Sequence, residues 1–296
     1  MNYNEYFRSK AYKNTIVTAL GEDAVKSDIT LSSRCFRQFK YSESIFNITV
    51  KQECVISGLN VAMDVFRFIA PKTKPLSLTP CVKEGASVKP GTCVLEGKST
   101  AGIILSAERT ALNFLSHLSG VSTLTNWFVK KAAPFKVRIF DTRKTTPGLR
   151  MLEKYAVSMG GGRNHRLSLA DAIFIKDNHR LFFGKNSRLF DAVKNMASNK
   201  PVIIEVESEA DINLALKSGA DVVLLDNFTP SRLKKFLSNS KISADDLEKL
   251  EATGRVNPDN ILQYLQTGIK RISIGYITHS APNIDFSLDI TKKGRL

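Results

Sequence analysis

Arg143, Lys144, His165, Arg166 and Lys176 supply cationic or hydrogen-bond-donating side chains within one stretch of the chain. Guanidinium groups grip carboxylates and phosphates through two parallel hydrogen bonds, so this set suits a ligand carrying several such anions. Further along, Glu205 and Asp226 offer hard oxygen ligands, the kind that Mg²⁺ uses alongside substrate oxygens. Thr253-Gly254 and Gly275 provide late turns where backbone N–H groups can approach a phosphate. Together these residues point to a carboxylate-bearing molecule, a phosphate group and a magnesium ion. His279 lies close to the last turn, and both a phosphate contact and a structural role are open for it. No Ser-His-Asp arrangement and no G-x-S-x-G elbow is present, so no side-chain nucleophile is expected.

The elements that must carry these groups follow from the apolar patterning. Short runs of strand length recur at 137–140, 172–175, 202–206, 222–225 and 272–274, with a weaker one at 250–252. Each runs directly into polar or glycine residues: Asp141-Thr142-Arg143-Lys144, Lys176-Asp177-Asn178-His179, Glu207, Asp226-Asn227, Thr253-Gly254-Arg255 and Gly275-Tyr276. Helical patterns lie between the runs. One spans 104–131 and is closed by Pro134, and one at 148–158 follows Pro147. Another opens at Ser208, with Asp211 three residues on, and stops at Gly219; a further one runs from Asn257-Pro258 to Gly268. Alternating strands and helices with near-continuous apolar strands predict a parallel sheet buried on both faces. A closed α/β barrel is the first choice, because all strand ends then meet on one rim. An open doubly wound sheet is the second. Residues 20–103 have a different texture, with short β-prone segments at 45–51, 54–57 and 92–96 between turn signals.

Composition narrows the class of function. Of 296 residues, 43 are Lys or Arg and 28 are Asp or Glu, a net charge of +15, and 43% are hydrophobic. These proportions fit a folded protein of one large or two medium domains. No apolar run is long enough to span a membrane and the first eight residues form no signal core, so a cytoplasmic location is expected. The basic excess raises nucleic acid as a partner, but zinc-finger spacing and RNP-type aromatic motifs are absent. The cations are scattered apart from Lys292-Lys293-Gly294-Arg295, which also suits steering of polyanionic small molecules. Cys35, Cys54, Cys81 and Cys93 form no C-x-x-C pair and read as reduced structural thiols. His117, within a helical pattern, reads as a packed or surface histidine. Gly160-Gly161-Gly162 reads as a helix C-cap, and Arg109, taken alone, as one half of a surface salt bridge.

Seven segments carry a resemblance: AERTALNFLSHLSGVSTLT (107–125), DTRKTTPGLRMLEKYAVSMGGGRNHR (141–166), DAIFIKDNH (171–179), IEVE (204–207), LLDN (224–227), EATG (251–254) and ISIGYITHS (272–280). By these the chain resembles the quinolinate phosphoribosyltransferases, or carboxylating nicotinate-nucleotide pyrophosphorylases, over nearly its whole length. The resemblance implies an α/β fold with an N-terminal α/β sandwich over 1–111 and a C-terminal α/β barrel over 112–280, the type II phosphoribosyltransferase fold. A segment of about 281–296 would return to the first domain.

The resemblance further implies Mg²⁺-dependent transfer of phosphoribose from 5-phosphoribosyl-1-pyrophosphate to quinolinate with loss of CO₂, in NAD biosynthesis. It implies a homodimer with shared active sites, with dimer and hexamer both open, and neither nucleic acid nor membrane as partner. Arg143, His165, Arg166 and Lys176 would form the quinolinate pocket, and Lys144 would contact pyrophosphate or substrate. Glu205 and Asp226 would face the ribose hydroxyls and the metal. Thr253, Gly254 and Gly275, with His279, would hold the 5-phosphate, and Arg109 would reach into the neighbouring subunit's pocket. The family carries a second glycine where this chain has Arg255, and contact of that arginine with the phosphate or with solvent are both open. A relative using nicotinate or nicotinamide, a catalytically silent scaffold and a nucleic-acid-binding protein are the competing readings.

Overall fold

A computed structural model describes residues 3–182, 186–195 and 199–292. The basic cluster that begins at Lys292 continues into 293–295, outside the described residues. The chain divides into two compact units.

The first unit contains the described residues up to Leu124, then Pro147–Gly160, and those from Ala281 onward. Its helices are α1 (Tyr3–Arg8), α2 (Lys10–Glu22), α3 (Ile29–Ser32), α4 (Leu59–Ile69), the first part of α5 (Ala101–Ala132), and α6 (Arg150–Met159). Its strands are β1 (Glu43–Val50), β2 (Cys54–Val55), β3 (Ser77–Pro80), β4 (Ser87–Val88), β5 (Cys93–Thr100) and, after the second unit, β12 (Phe286–Lys292). The main sheet has the order β12-β1-β5-β3, every pairing antiparallel. Phe46 of β1 stacks on Phe66 of α4, with ring centroids 4.8 Å apart. Both rings are buried, and each such burial contributes about 1.5–3 kcal/mol. Gly97 makes room for this stack, since a Cβ there would sit 2.3 Å from the Phe46 ring. On the other side of α4, the Tyr12 hydroxyl of α2 donates to Asp64 at 2.7 Å.

Hydroxyls of α5 substitute for ladder partners along 55–57. The Val55 N–H donates to Thr123 Oγ1 at 2.9 Å, the Ser122 hydroxyl to the Val55 carbonyl at 2.6 Å, and the Ser57 N–H to Ser119 Oγ at 3.1 Å. Buried backbone groups need such partners. Gly120 lets the returning chain cross α5, because a Cβ there would lie 2.1 Å from the Pro282 carbonyl oxygen. The Ile284 N–H then donates to the Ser116 carbonyl at 3.1 Å, and β12 pairs with β1. The unit division falls at 124/125, within α5. The expected boundary at 111 also lies inside this helix, where no change of texture marks one.

The second unit contains Thr125–Thr146 and Gly161–Ser280. Its strands are β6 (Arg138–Phe140), β7 (Ile173–Ile175), β8 (Val202–Val206), β9 (Val222–Asp226), β10 (Leu250–Thr253) and β11 (Arg271–Ser273). Its helices are α7 (Asp177–Arg180), α8 (Asn186–Lys194), α9 (Glu209–Lys217), α10 (Pro230–Asn239), α11 (Ala244–Lys249), α12 (Ile261–Leu265) and α13 (Tyr276–His279). The sheet order β6-β11-β10-β9-β8-β7, all parallel, is the cyclic order of a six-stranded α/β barrel. Among the described residues, the one seam without a ladder lies between β6 and β7, and there Phe140 bridges in parallel to Arg163. Val222 to Leu225 are all buried, as expected of a strand covered on both faces. Ser208, Thr229 and Ser243 cap α9, α10 and α11 by accepting a backbone N–H. The Asp211 carboxylate accepts the Ser208 hydroxyl at 2.8 Å.

Candidate active site

The C-terminal ends of the six parallel strands surround a cleft of about 790 Å³. Arg143, Lys144, His165, Arg166, Lys176, Glu205, Asp226, Thr253, Gly254, Gly275 and His279 all line it. Arg109 does not. It is exposed on α5 in the first unit, beside a depression of about 230 Å³ shared with Asn113, Ser116 and Asp285. Among the described residues it makes no ion pair, so the surface salt bridge expected of Arg109 in isolation is not formed.

The cationic end is assembled at the seam. Asp141, fully buried just after β6, accepts the His165 N–H at 2.7 Å, while the Asp141 N–H donates to the Arg163 carbonyl at 3.0 Å. The segment around 163–166 is thereby bound along β6 and delivers His165 and Arg166 to the cleft. The His165 ring nitrogen Nε2 bonds to Glu251 of β10, whose other oxygen accepts Arg271 Nε at 2.9 Å. Glu251 has no exposed surface. Burial pushes its carboxyl up, but His165 and Arg271 outweigh this and hold it below the usual carboxylate range. An ionised Glu251 therefore fixes the orientation of the imidazole.

Arg166 lies over the Phe174 ring at 4.5 Å, and Lys176 lies over the same ring at 5.3 Å. Burial, and then the neighbouring Arg143 charge, lower the Arg166 pKa from its ordinary value. The Nε atoms of Arg143 and Arg166 are both buried without a hydrogen-bond partner among the described residues. Arg166 Nη1 donates to the Ala172 carbonyl at 3.3 Å, but the two like-charged guanidinium groups still repel, and an anion accepting from their unspent Nε donors would relieve this.

The remaining rim carries carboxylates and tight turns. Lys176 Nζ is 3.8 Å from Glu205 Oε2, and the Asn227 amide donates to Asp226 Oδ2 at 2.8 Å. Gly254 has φ 94°, and a Cβ on it would sit 2.4 Å from Asn227 Oδ1, so only glycine fits this approach of two turns. Arg255 follows with φ 53°, the left-handed conformation that glycine adopts freely. Its carbonyl accepts the Asn260 amide at 2.9 Å, which helps hold the turn. The Thr278 hydroxyl donates to the Lys144 carbonyl at 2.7 Å, and so ties the loop after β6 to α13. His279 Nδ1 is 2.7 Å from Ser280 Oγ.

Sequence reasoning missed Glu251, Arg271, Asp141 and Phe174. One signal was available: Glu251 interrupts an apolar strand, and a charge at such a position demands a partner. Of the secondary expectations, His117 is packed against the buried Glu153 with Nε2 2.8 Å from Oε1, and Gly160 caps α6.

The domain family described as "Quinolinate phosphoribosyl transferase, C-terminal domain" matches residues 121–289, and its N-terminal counterpart matches 35–119. A probable nicotinate-nucleotide pyrophosphorylase [carboxylating] of Methanocaldococcus jannaschii is 37% identical, over 83% of this chain and 86% of that one. A protein of Bacillus subtilis with the same description is 34% identical, over 91% and 90%. The crystal structure of nicotinate-nucleotide pyrophosphorylase from Ehrlichia chaffeensis superposes with a TM-score of 0.84 at 32% identity, covering 98% of this chain and 99% of that one.

Proposed function

The chain belongs to the quinolinate phosphoribosyl transferase family, and we propose that its barrel cleft transfers phosphoribose from 5-phosphoribosyl-1-pyrophosphate to quinolinate, giving nicotinate mononucleotide, pyrophosphate and CO₂. The observation that carries this reading is the pair of like-charged Arg143 and Arg166, each with a buried Nε that has no partner among the described residues. Quinolinate is a dianion with adjacent carboxylates. A pocket already crowded with positive charge offsets that repulsion, and His165 and Lys176 extend it. Nicotinate, with one carboxylate, would leave part of this charge uncompensated.

In the reaction the pyridine nitrogen attacks the anomeric carbon while the bond to pyrophosphate breaks, and the leaving group keeps that electron pair. The transition state has oxocarbenium character. Glu205 and Asp226 stabilise its positive charge and orient the ribose hydroxyls, and Lys144 meets the developing negative charge on pyrophosphate. The ring's 2-carboxylate then departs as CO₂. Its electron pair stays on the ring carbon beside the quaternised nitrogen and takes up a proton. Thr253, Gly254 and Gly275, with His279, receive the 5-phosphate through the turns described above.

Two carboxylates on one rim are too few to enclose an ion, but they suit Mg²⁺, which binds through one or two carboxylates and completes its shell with substrate oxygens and water. Glu205 and Asp226 would hold it, and when bound it supplies positive charge to the pyrophosphate oxygens. Arg109, exposed and without an ion pair among the described residues, is suited to enter the cleft of a second copy in a homodimer. No described helix is long and apolar enough to cross a membrane.

The test is CO₂ release from carboxyl-labelled quinolinate in the presence of 5-phosphoribosyl-1-pyrophosphate and Mg²⁺. Release that requires all three components is expected. Nucleotide formation from nicotinate without CO₂ release from quinolinate would overturn the substrate assignment.

A further inference from the structure

The first unit holds a cluster that the reaction does not use. Cys81, just past β3, has its Sγ 3.8 Å from Sγ of Cys93, the first residue of β5. Both thiols are free, and the Glu96 carboxylate lies with them so that all three ligand atoms fall within 4.8 Å of one another.

The sheet itself brings them together. Register pairs Thr79 with Glu96, and the Cys81 N–H continues the ladder by donating to the Val94 carbonyl at 3.0 Å. Against β1 the register shifts, with Ile48 opposite Leu95 but Thr49 opposite Cys93, so Val94 is an extra residue. Without this bulge Cys93 and Glu96, three apart in a strand, would point to opposite faces. The bulge re-aims Cys93 toward Glu96. In sequence the cysteines are 12 residues apart, and nothing in that spacing reveals the meeting.

We propose that Cys81, Cys93 and Glu96 form a binding site for a zinc-class divalent ion, with the two sulfurs bound as thiolates and water in the fourth position. A tetrahedral ion with Zn–S bonds of about 2.3 Å holds two sulfur ligands about 3.8 Å apart, the separation found here. Two sulfurs with one carboxylate favour zinc over magnesium or calcium, which take all-oxygen shells. Cys81 and Glu96 are exposed, and β3 is an edge strand, so the site is open to ions from solvent. A bound ion would clamp this edge strand to β5.

Co²⁺ added to the fully reduced full-length protein tests the proposal. A sulfur-to-cobalt charge-transfer band in the near ultraviolet, saturating at one ion per chain and displaced by Zn²⁺, is expected. Cys81→Ser and Cys93→Ser should each lose the one-to-one band, and Glu96→Gln should keep it with weaker affinity. The carboxylate pair of the barrel has no sulfur and cannot produce the signal. Zn²⁺ should also raise the melting temperature of the wild type and not that of Cys81→Ser. Absence of the band in reduced wild type, or its survival in both cysteine variants, would overturn the assignment. So would thiol counting that finds the pair joined as a disulfide with no metal uptake.

Discussion

The cationic end of the cleft and the glycine-turn end, which the proposed function gives to the 5-phosphate, are built on different principles. At the cationic end, side-chain chemistry dominates: Asp141 and Glu251, both buried, lock the segment that presents His165 and Arg166. At the other end the backbone dominates, through φ 94° at Gly254, φ 53° at Arg255 and the close approach of Asn227. Like charges gathered at the first end need internal counterweights, and in the proposed function they would attract an anion. Turns at the second end carry local strain instead, and in the proposed function their N–H groups would meet the 5-phosphate. Substitutions should accordingly fail in different ways at the two ends.

The largest effect should come from Glu251→Ala. Removing a fully buried carboxylate leaves Arg271 and His165 without their shared partner, and loss of one member of such a network costs about 3–5 kcal/mol. Chemical denaturation measures this, and a loss under about 1 kcal/mol would contradict the counterweight role. Next, Arg143→Ala and Lys144→Ala should each reduce turnover by about 10²–10³-fold with the denaturation midpoint little changed. Near-normal turnover in both would remove these residues from the chemistry.

Acid should act on the same counterweight. The folded-state Glu251 value lies below its ordinary one of 4.5, so its contribution is complete above that pH. It is lost as pH falls through the lower, folded value. Unfolding followed against pH should show wild type losing stability in that acid window and Glu251→Gln losing less. The smallest effect belongs to the glycine-turn end. Arg255→Gly should relieve the left-handed strain and stabilise the fold by about 1 kcal/mol. It should also raise KM for 5-phosphoribosyl-1-pyrophosphate and leave that for quinolinate unchanged, because it removes a cation that lines the cleft. An unchanged KM would make Arg255 a solvent-facing residue.

Much of the barrel could be read from sequence because its strands are short apolar runs ending in polar residues. The run at 222–225 matches Val222–Asp226, and the pattern at 104–131 matches Ala101–Ala132. The first hundred residues were harder. Leu59–Ile69 is a helix, yet its valines and phenylalanines gave the whole region a β-prone texture; burial of one apolar face against β1 overrides that preference. The N-terminal helices Tyr3–Arg8 and Lys10–Glu22 have no counterpart in the sequence reading, although Tyr12, Ile16 and Leu20, spaced four apart and all buried, mark one face of the second. In the site, cations and carboxylates announce themselves by type. The counterweights do not, since Asp141 and Glu251 acquire meaning only when β6 and β10 bring them to His165. The torsion at 255 is signalled only indirectly, by the glycine that the family carries where this chain has Arg255; the backbone shows it directly, at φ 53°.

The most direct test of the account is calorimetric comparison of quinolinate and nicotinate binding to wild type and to Arg166→Ala. The crowded arginine pair predicts that wild type prefers quinolinate by more than about tenfold, since each charge-assisted hydrogen bond is worth about 1.5–3 kcal/mol. It also predicts that the preference collapses in the variant. Equal affinity of wild type for the two pyridines, or a preference that survives Arg166→Ala intact, would contradict it.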